Sequence, residues 1–444
     1  MNTLVKHPLS AACATILLSA TLMAGNVLAE EATEANPLQF YTGANGSYAK
    51  VTLEADLGVF VQGNSWFGAP VDSDSWWESL VRPGLDVSYT LPSSQKIYGL
   101  IDAVQANTFG GVDAGLTNVG DEDVNDLRID HAYAGWRSGK LFSSLDEDFL
   151  DISFGRQNYV VGDGFLFASQ GYGGFNRAAY WIGGRKSAEY AGIARMKSGN
   201  WSGDLVYFEA DDRLETDTQV GGGNLNYAVD KVANIGGGFY SISSDLESRD
   251  SMKVYDVRGG VYPFALADGA PALKTFKIDA EYVHEAADGD FANGNAWYIA
   301  PSYQFEAMPW KPTITYRYAS FDENYDSLFY GSSDWGNWYQ GEILGEYALG
   351  NSNLDSHMIK LKVQPTDAVA VNLIYYKFMI NDTAVAGTTS DNLADEYNLI
   401  VDWTVNPHLS FSVVGAIADP GDAANELYGD DTWSYMMLFG CVKF

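Results

Sequence analysis

The chain has 444 residues, with 58 acidic and 26 basic side chains, and its formal charge is −32 at pH 7. This excess of carboxylates excludes nucleic acid as a partner, because binding to phosphates requires clustered basic residues. Two cysteines are present and only Cys441 lies beyond residue 29, so no internal disulfide is expected. Glycine and tyrosine are abundant and helical apolar periodicity is nearly absent, which favours β structure.

The N-terminus has the pattern of a secretory signal peptide. Lys6 precedes an apolar run from Leu9 to Ala24, and small residues follow up to Ala29. Cleavage after Ala29 removes Lys6 and changes the formal charge to −33. We therefore predict a signal peptide over residues 1–29, a flexible periplasmic lead-in over 30–45 and a single domain over 46–444.

Beyond residue 29 no stretch approaches the roughly 18 consecutive apolar residues of a membrane helix. Alternation of apolar and polar residues begins at Ala49–Val59, where Lys50, Thr52, Glu54 and Asp56 share one face. About eleven alternating residues match a tilted membrane strand. The same alternation, with charges on one face, predicts further strands around 85–89, 255–261, 276–282, 313–318, 339–347, 359–363 and 397–403.

The last stretch, Trp433–Phe444, also alternates and ends on an aromatic residue. A strand of this kind is typical of the closing strand of a bacterial outer-membrane barrel, since an open apolar edge would promote aggregation. We expect it to pair with the strand near Ala49–Val59. Phe444 is then predicted to be the recognition signal for outer-membrane insertion, and Cys441 an isolated thiol on the lumen side.

The connections between the predicted strands differ in length on the two sides. Turns such as Val363–Val369 and Thr404–Leu409 are tight, whereas long acidic or glycine-rich stretches occupy 107–126, 162–185, 321–336 and 381–395. Tyrosine and tryptophan recur at the ends of the apolar faces, as in interfacial girdles; these are Tyr89, Tyr282, Tyr347 and Trp403. The fold class predicted is all-β: a transmembrane antiparallel β-barrel of 16–18 strands, with 18 favoured, short periplasmic turns and long extracellular loops.

Three stretches resemble the alginate-export family of outer-membrane proteins. The most distinctive runs from Ser333 to Leu354 and includes Trp335, Trp338 and the Gly341-Glu342 pair. The others are Phe154–Gln157, followed by a loop through Arg177, and the turn at Pro365. The resemblance covers most of the chain beyond residue 29. It implies a single-chain, porin-like barrel that carries a polar molecule through the outer membrane of a Gram-negative bacterium.

The predicted lumen faces carry acids that equal or outnumber the bases. This indicates either cross-strand pairing that stiffens the wall or a mixed-charge constriction that favours neutral, zwitterionic or cationic solutes. Strict alternation would point Arg156 toward lipid, so we expect a bulge near Gly155 or a strand exit there. The pore-lining residues hypothesised are Arg128, Arg258, Lys277, Arg317, Glu342, Glu346, Lys360 and Lys362.

The predicted function is an outer-membrane channel that passes a small polar solute or an oligosaccharide, with no enzymatic activity. One alternative is an outer-membrane enzyme built on a barrel, for which His131 with Asp130 is the first pair to test. Another is a soluble secreted carbohydrate-binding β-protein. The expected partners are outer-membrane lipids, lipopolysaccharide and the barrel-assembly machinery.

No cofactor is expected from the sequence. The acidic clusters 121–126 and 146–148 lack the spacing of a Ca²⁺-binding loop and are interpreted as solvated loop charge. Loop-bound Ca²⁺ is the alternative interpretation of these clusters.

Overall fold

The computed structural model describes residues 37–69, 75–120, 123–267, 271–289, 291–331 and 334–444. The predicted signal peptide and residues 30–36 of the predicted lead-in lie outside these ranges. The remainder of the predicted lead-in includes the strand Gln39–Thr42, and the predicted division into segments stays a prediction. These residues form a strand because their main chain pairs with Tyr48–Lys50.

Strands dominate the described part of the chain. Their bounds are β1 Gln39–Thr42, β2 Tyr48–Gly63, β3 Ser75–Thr90, β4 Lys96–Phe109, β5 Val124–Arg137, β6 Leu150–Arg156, β7 Tyr190–Ser198, β8 Trp201–Glu209, β9 Gln219–Val229, β10 Ala233–Ser243, β11 Lys253–Val261, β12 Lys277–Ala286, β13 Gly294–Gln304, β14 Thr313–Phe321, β15 Leu354–Thr366, β16 Val369–Ile380, β17 Asn392–Asn406, β18 Leu409–Pro420 and β19 Trp433–Lys443.

Helical segments within the described residues are short, and none is long and apolar enough to cross a membrane. They are the α-helical turns Ser65–Gly68, Thr383–Ala386 and Asp422–Leu427, the 3₁₀ turns Pro92–Ser94, Phe175–Arg177 and Pro271–Leu273, and the π-helix Gly341–Ala348.

Strands β2 to β19 form a closed antiparallel barrel. Each pairs with its neighbours in the chain, and β19 returns to β2, with Ser434 opposite Gly63 and Lys443 opposite Glu54. The barrel has 18 strands, and β1 extends the sheet beside β2. The predicted fold class, strand count and closing pair are therefore confirmed.

The two faces of the wall follow the predicted alternation. On β2 and β19 the side chains of Val61, Met436 and Leu438 are about half exposed, whereas Asp56 and Met437 point inward and are buried. An apolar exterior is stable in lipid, and closure leaves no unpaired strand edge in the hydrocarbon. The soluble-protein alternative is therefore wrong, because its apolar face would be packed inside.

The connections differ at the two barrel ends, as predicted. The turns at 91–95, 199–200, 230–232, 367–368 and 407–408 are short, and by the convention of outer-membrane barrels this end is periplasmic. Two connections at that end, 138–149 and 262–276, are longer than expected. At the opposite end, connections 157–189 and 322–353 far exceed the others, and we call them inner loop A and inner loop B.

The predicted strand at 339–347 is wrong. Gly341 has φ +97°, which breaks the extended backbone, and Gly341–Ala348 forms a π-helix within inner loop B. Tyr347 was predicted to be a girdle residue but is buried, and its hydroxyl lies 3.0 Å from that of Tyr435. In contrast, Tyr89, Tyr282 and Trp403 are exposed on the barrel exterior.

Candidate functional site

Both inner loops fold into the barrel lumen. The side chains of Tyr159, Phe165 and Phe167 in inner loop A are at most 1% exposed, as are those of Trp338 and Leu344 in inner loop B. The ring centroids of Phe165 and Trp338 lie 4.5 Å apart in an edge-on arrangement. Aromatic pairs of this kind contribute about 0.5–1.5 kcal/mol beyond their burial. The loops therefore pack against each other as well as against the wall.

Asp163 of inner loop A joins the two loops to the wall. Its Oδ1 accepts a hydrogen bond from Trp338 Nε1 at 3.0 Å, and its Oδ2 accepts one from the Tyr298 hydroxyl at 3.1 Å. Its main-chain oxygen accepts from Asn337 Nδ2 at 3.1 Å. One residue thus fixes the distance between loop A, loop B and strand β13.

Two wall carboxylates hold the loops through their main chains. Glu78 on β3 accepts hydrogen bonds from the N–H groups of Trp181 (3.2 Å) and Ile182 (2.9 Å) in loop A. Glu396 on β17 accepts from Ile343 (3.0 Å) and Leu344 (2.8 Å) at the start of the π-helix. Both carboxylates are completely buried. Sequence analysis identified neither carboxylate as a candidate functional residue.

Two wall cations, on β14 and β15, also hold inner loop B. Arg317 donates to the main-chain oxygen of Asn337 (3.0 Å) and to Gln340 Oε1 (3.1 Å), and its guanidinium lies 4.3 Å from the Trp338 ring centroid. Lys360 donates to Asp334 at 2.9 Å and to the main-chain oxygen of Trp335. These two predicted pore-lining cations are therefore also structural contacts of loop B.

A cavity of about 660 Å³, which we call the loop cavity, lies between the inner loops and the wall. Acids outnumber bases among its ionisable side chains, and aromatic rings form much of the remaining surface. The acids are Glu54, Asp56, Asp334, Glu342 and Glu346, the bases are Arg185, Lys186 and Arg213, and the rings include Tyr172, Tyr180, Trp181, Trp335, Tyr339 and Phe439.

A second cavity of about 440 Å³, which we call the wall cavity, adjoins the first. The segment Asp334–Gly336 lines both cavities. The charges of the wall cavity are balanced, with Arg258, Lys277, Arg317 and Lys360 facing Asp163, Asp279, Glu281 and Asp334. The two cavities together place acidic and basic side chains around a space beside the inner loops.

The structure brings most of the hypothesised pore residues to these cavities. Arg258, Lys277, Arg317 and Lys360 line the wall cavity, and Glu342 and Glu346 line the loop cavity. Glu342 and Glu346 reach it from the π-helix and not from a strand. Lys362 Nζ lies 3.9 Å from Asp334, and Arg128 Nε lies 2.8 Å from Asp126 on the inner wall. The role of all these hypothesised residues in conduction stays a prediction.

Strict alternation would point Arg156 toward lipid. Strand β6 ends at this residue, however, so the alternation no longer sets the direction of its side chain. Gly155 has φ +129°, and Arg156 together with Arg177 of inner loop A binds Asp211, each at 2.5 Å. This agrees with the predicted strand exit, since the side chain bonds within the loops.

The acidic clusters considered for Ca²⁺ lie partly outside the described residues, which omit Asp121 and Glu122. In the other cluster, Asp146 accepts a hydrogen bond from the Gly199 N–H (2.5 Å) and Asp148 from the Gly139 N–H (3.1 Å). These two carboxylates therefore hold the connection 138–149 and its neighbouring turn.

The charge of the loop cavity depends on pH through Glu342. Burial, with the Glu396 and Asp402 carboxylates nearby, raises the pKa of Glu342 to about 8. Burial and Glu342 likewise hold the pKa of Glu346 well above its ordinary value. An acid whose pKa lies above the ambient pH is mostly neutral and ionises as the pH passes that pKa, so Glu342 is mostly neutral at pH 7.

We therefore expect the ratio of cation to anion permeability to rise between about pH 7 and about pH 9, as Glu342 ionises. Reversal potentials in planar bilayers under a salt gradient measure this ratio. The Glu342→Gln variant should show a weaker rise over the same interval, because its side chain stays neutral. An identical rise in the variant would contradict the assignment to Glu342.

The closed barrel, its apolar exterior and its inward loops define an outer-membrane β-barrel of the porin type and place the protein in the outer membrane. Residues 274–432 match the family model described as alginate export, which confirms the resemblance over that part of the barrel. A comparison with curated proteins gave no match.

Solved structures with the same barrel include several porins. OprD of Pseudomonas aeruginosa is 12% identical and has a TM-score of 0.58, with 91% of this chain and 95% of that chain covered. OccAB4 of Acinetobacter baumannii is 11% identical with a TM-score of 0.57 and coverage of 90% and 100%. A BenF-like porin of Pseudomonas fluorescens is 10% identical with a TM-score of 0.57 and coverage of 90% and 98%. At these identities the comparison establishes the fold.

Proposed function

We propose that the protein is a passive outer-membrane channel for small neutral, zwitterionic or cationic polar solutes. The observation that carries this proposal is the mixed-charge lining of the loop and wall cavities. Carboxylates and basic groups face the same space there. Each charge of a zwitterionic solute therefore lies near a side chain of opposite charge. An extended polyanion would instead meet the carboxylates of the loop cavity without a continuous row of cations to offset its charge.

The wall cations already bind other groups of the protein, and this supports the proposed selectivity. Arg317 and Lys360 are largely buried and bonded to inner loop B, and Arg258 binds Asp256 and the amide oxygens of Asn224 and Asn226. Cations already paired attract a passing anion less than unpaired ones, because the neighbouring acids screen them. The aromatic rings of the loop cavity also support passage of a saccharide, whose apolar ring face stacks on such surfaces.

Two further expectations accompany the channel. The exposed apolar exterior supports contact with outer-membrane lipids and lipopolysaccharide. Phe444 supports a role as the insertion signal, since it follows the closing strand and its N–H donates to the Leu53 oxygen at 2.8 Å. Its ring stacks on His408 with centroids 4.5 Å apart.

The selectivity of the pore is tested by charge reversal at Lys362, which is more exposed than Lys360 and bonds no loop main chain. The Lys362→Glu variant should shift the reversal potential toward cations, because a fixed negative charge replaces a positive one near Asp334. The matched control is Lys311→Glu in the exposed turn 305–312, which should behave like the parent protein. Equal shifts in both variants, or no conductance steps from the parent protein, would contradict the proposal.

A further inference from the structure

A β-bulge brings two consecutive side chains of β5 to the same side of the wall. Ile101 pairs with Ala132 and Ala103 pairs with Ile129, so Asp102 alone faces both Asp130 and His131. In a regular strand, neighbours point to opposite faces; a bulge with two residues against one removes that alternation. The side chains of Asp102, Asp130 and His131 therefore converge.

Three potential metal ligands meet at this bulge. His131 Nδ1 lies 2.9 Å from Asp102 Oδ2 and 3.3 Å from Asp130 Oδ2, and one ligand atom from each residue lies within 4.8 Å of the others. A transition-metal ion binds such atoms at about 2.0–2.2 Å. Adjacent ligands at that radius are separated by about 3.0–3.5 Å in tetrahedral or octahedral geometry. The two observed separations from Nδ1 are close to this interval.

The orientation of the carboxylates provides a second observation. Asp130 is 1% exposed, and its Oδ1 accepts hydrogen bonds from the N–H groups of Lys186 and Ser187 at 3.2 Å each. Its Oδ2 is buried and has no hydrogen-bond donor, although it points toward His131. On Asp102, Oδ1 accepts from the His131 N–H at 2.9 Å, which leaves Oδ2 directed at the ring. In each carboxylate, one oxygen is held by the main chain and the other faces the same point.

We propose that Asp102, Asp130 and His131 form a binding site for one divalent transition-metal ion, through two carboxylate oxygens and one imidazole nitrogen. An imidazole ligand favours ions such as Zn²⁺ over Mg²⁺ and Ca²⁺, which prefer oxygen ligands alone; Mn²⁺, which also suits carboxylates, is expected to bind more weakly than Zn²⁺. The hydrogen bonds to the outer oxygens orient the ligands, as is usual around metal centres. This site is separate from the proposed passage of solutes.

Both acidic and basic side chains surround the three ligands. Arg82 Nη2 lies 3.5 Å from Asp130 Oδ2 and opposes a cation, but Arg82 also pairs with Glu54 at 3.7 Å. Arg185 also lies near Asp130, and Arg156 Nε donates to the Asp130 main-chain oxygen at 3.4 Å. The ion would therefore be held by the geometry of its three ligands and not by an excess of negative charge. Because Asp130 also holds the main chain at Lys186, a bound ion would stiffen the attachment of inner loop A to β5.

Isothermal titration of the untagged, metal-free protein in detergent micelles with ZnCl₂ and with MnCl₂ tests the site. We expect one ion per chain for the parent protein and weaker binding of MgCl₂ and CaCl₂. His131→Ala should abolish the binding. The matched control is His284→Ala, because His284 is also a partly buried strand histidine but contacts Asn295 and no carboxylate. This control should bind like the parent protein.

A second variant separates loss of the ligand from misfolding. Asp130→Asn keeps an oxygen to accept from inner loop A, so the heat-modifiable electrophoretic mobility of the barrel should persist, while affinity for the ion should fall at least about tenfold. Zinc-edge X-ray absorption should show only nitrogen and oxygen ligands. Absence of one-to-one binding in the parent protein would overturn the proposal, as would equal binding by His131→Ala and His284→Ala.

Discussion

Replacement of residues 334–348 by a flexible glycine-serine linker should raise the single-channel conductance several-fold. This segment places Trp338, Leu344 and the Glu342 carboxylate between the walls, where they narrow the lumen. An 18-stranded barrel without such a constriction leaves a wide aqueous channel. Ion selectivity should also weaken, because the fixed charges then lie farther from the path. Planar-bilayer recordings measure both quantities.

The control for this experiment exchanges residues 383–387, which form an exposed turn at the same end of the barrel. This exchange should leave the conductance unchanged, because the turn lies outside the lumen. Unchanged conductance after removal of 334–348 would mean that inner loop B does not restrict the pore. Heat-modifiable mobility on electrophoresis verifies that both variants form the barrel.

The second large effect is expected from Glu396→Leu. This change removes the acceptor for the N–H groups of Ile343 and Leu344, and each buried donor left without a partner costs about 1–3 kcal/mol. Inner loop B should then leave its position for part of the time, because an alternative hydrated position satisfies these donors. Single-channel traces should switch between the parent level and a higher level.

A graded comparison tests this explanation. Glu396→Gln keeps one oxygen acceptor and should switch less often than Glu396→Leu. Glu306→Leu, at an exposed position in the turn 305–312, is the control and should give steady traces. Steady traces from Glu396→Leu would show that packing of Trp338 and Leu344 holds the loop without the carboxylate.

The wall of the barrel was predictable from sequence because each strand residue has two environments. Leu57 and Val59 face lipid whereas Glu54 and Asp56 face the lumen. The alternation of apolar and polar residues therefore predicts both the strand and the direction of its side chains. The inner loops were not predictable in the same way. Their positions depend on contacts between distant segments, such as Asp163 with Trp338 and Glu78 with Ile182. The sequence around an acid in an alternating strand does not show which main-chain N–H groups will donate hydrogen bonds to it.

The failure at 339–347 has a specific physical cause. The alternation of Tyr339, Gly341 and Ile343 matches a strand, but the positive φ of Gly341 and the capping carboxylate of Glu396 favour a helical turn. Local pattern and tertiary contact thus favour different structures, and the contact prevails. The sequence pointed to Asp130 and His131 as a pair but not to Asp102 as their third neighbour, because alternation alone places Asp130 and His131 on opposite faces and gives no sign of the β5 bulge.

The pairing of β19 with β2 has a consequence for folding. Glu54 pairs with Lys443, so this pairing joins two segments that lie far apart in the sequence and forms only after both have been delivered. Contacts of such large sequence separation form slowly. Until then β2 and β19 both present unpaired edges that recruit other strands. The chain therefore needs to be shielded from self-association between secretion and closure.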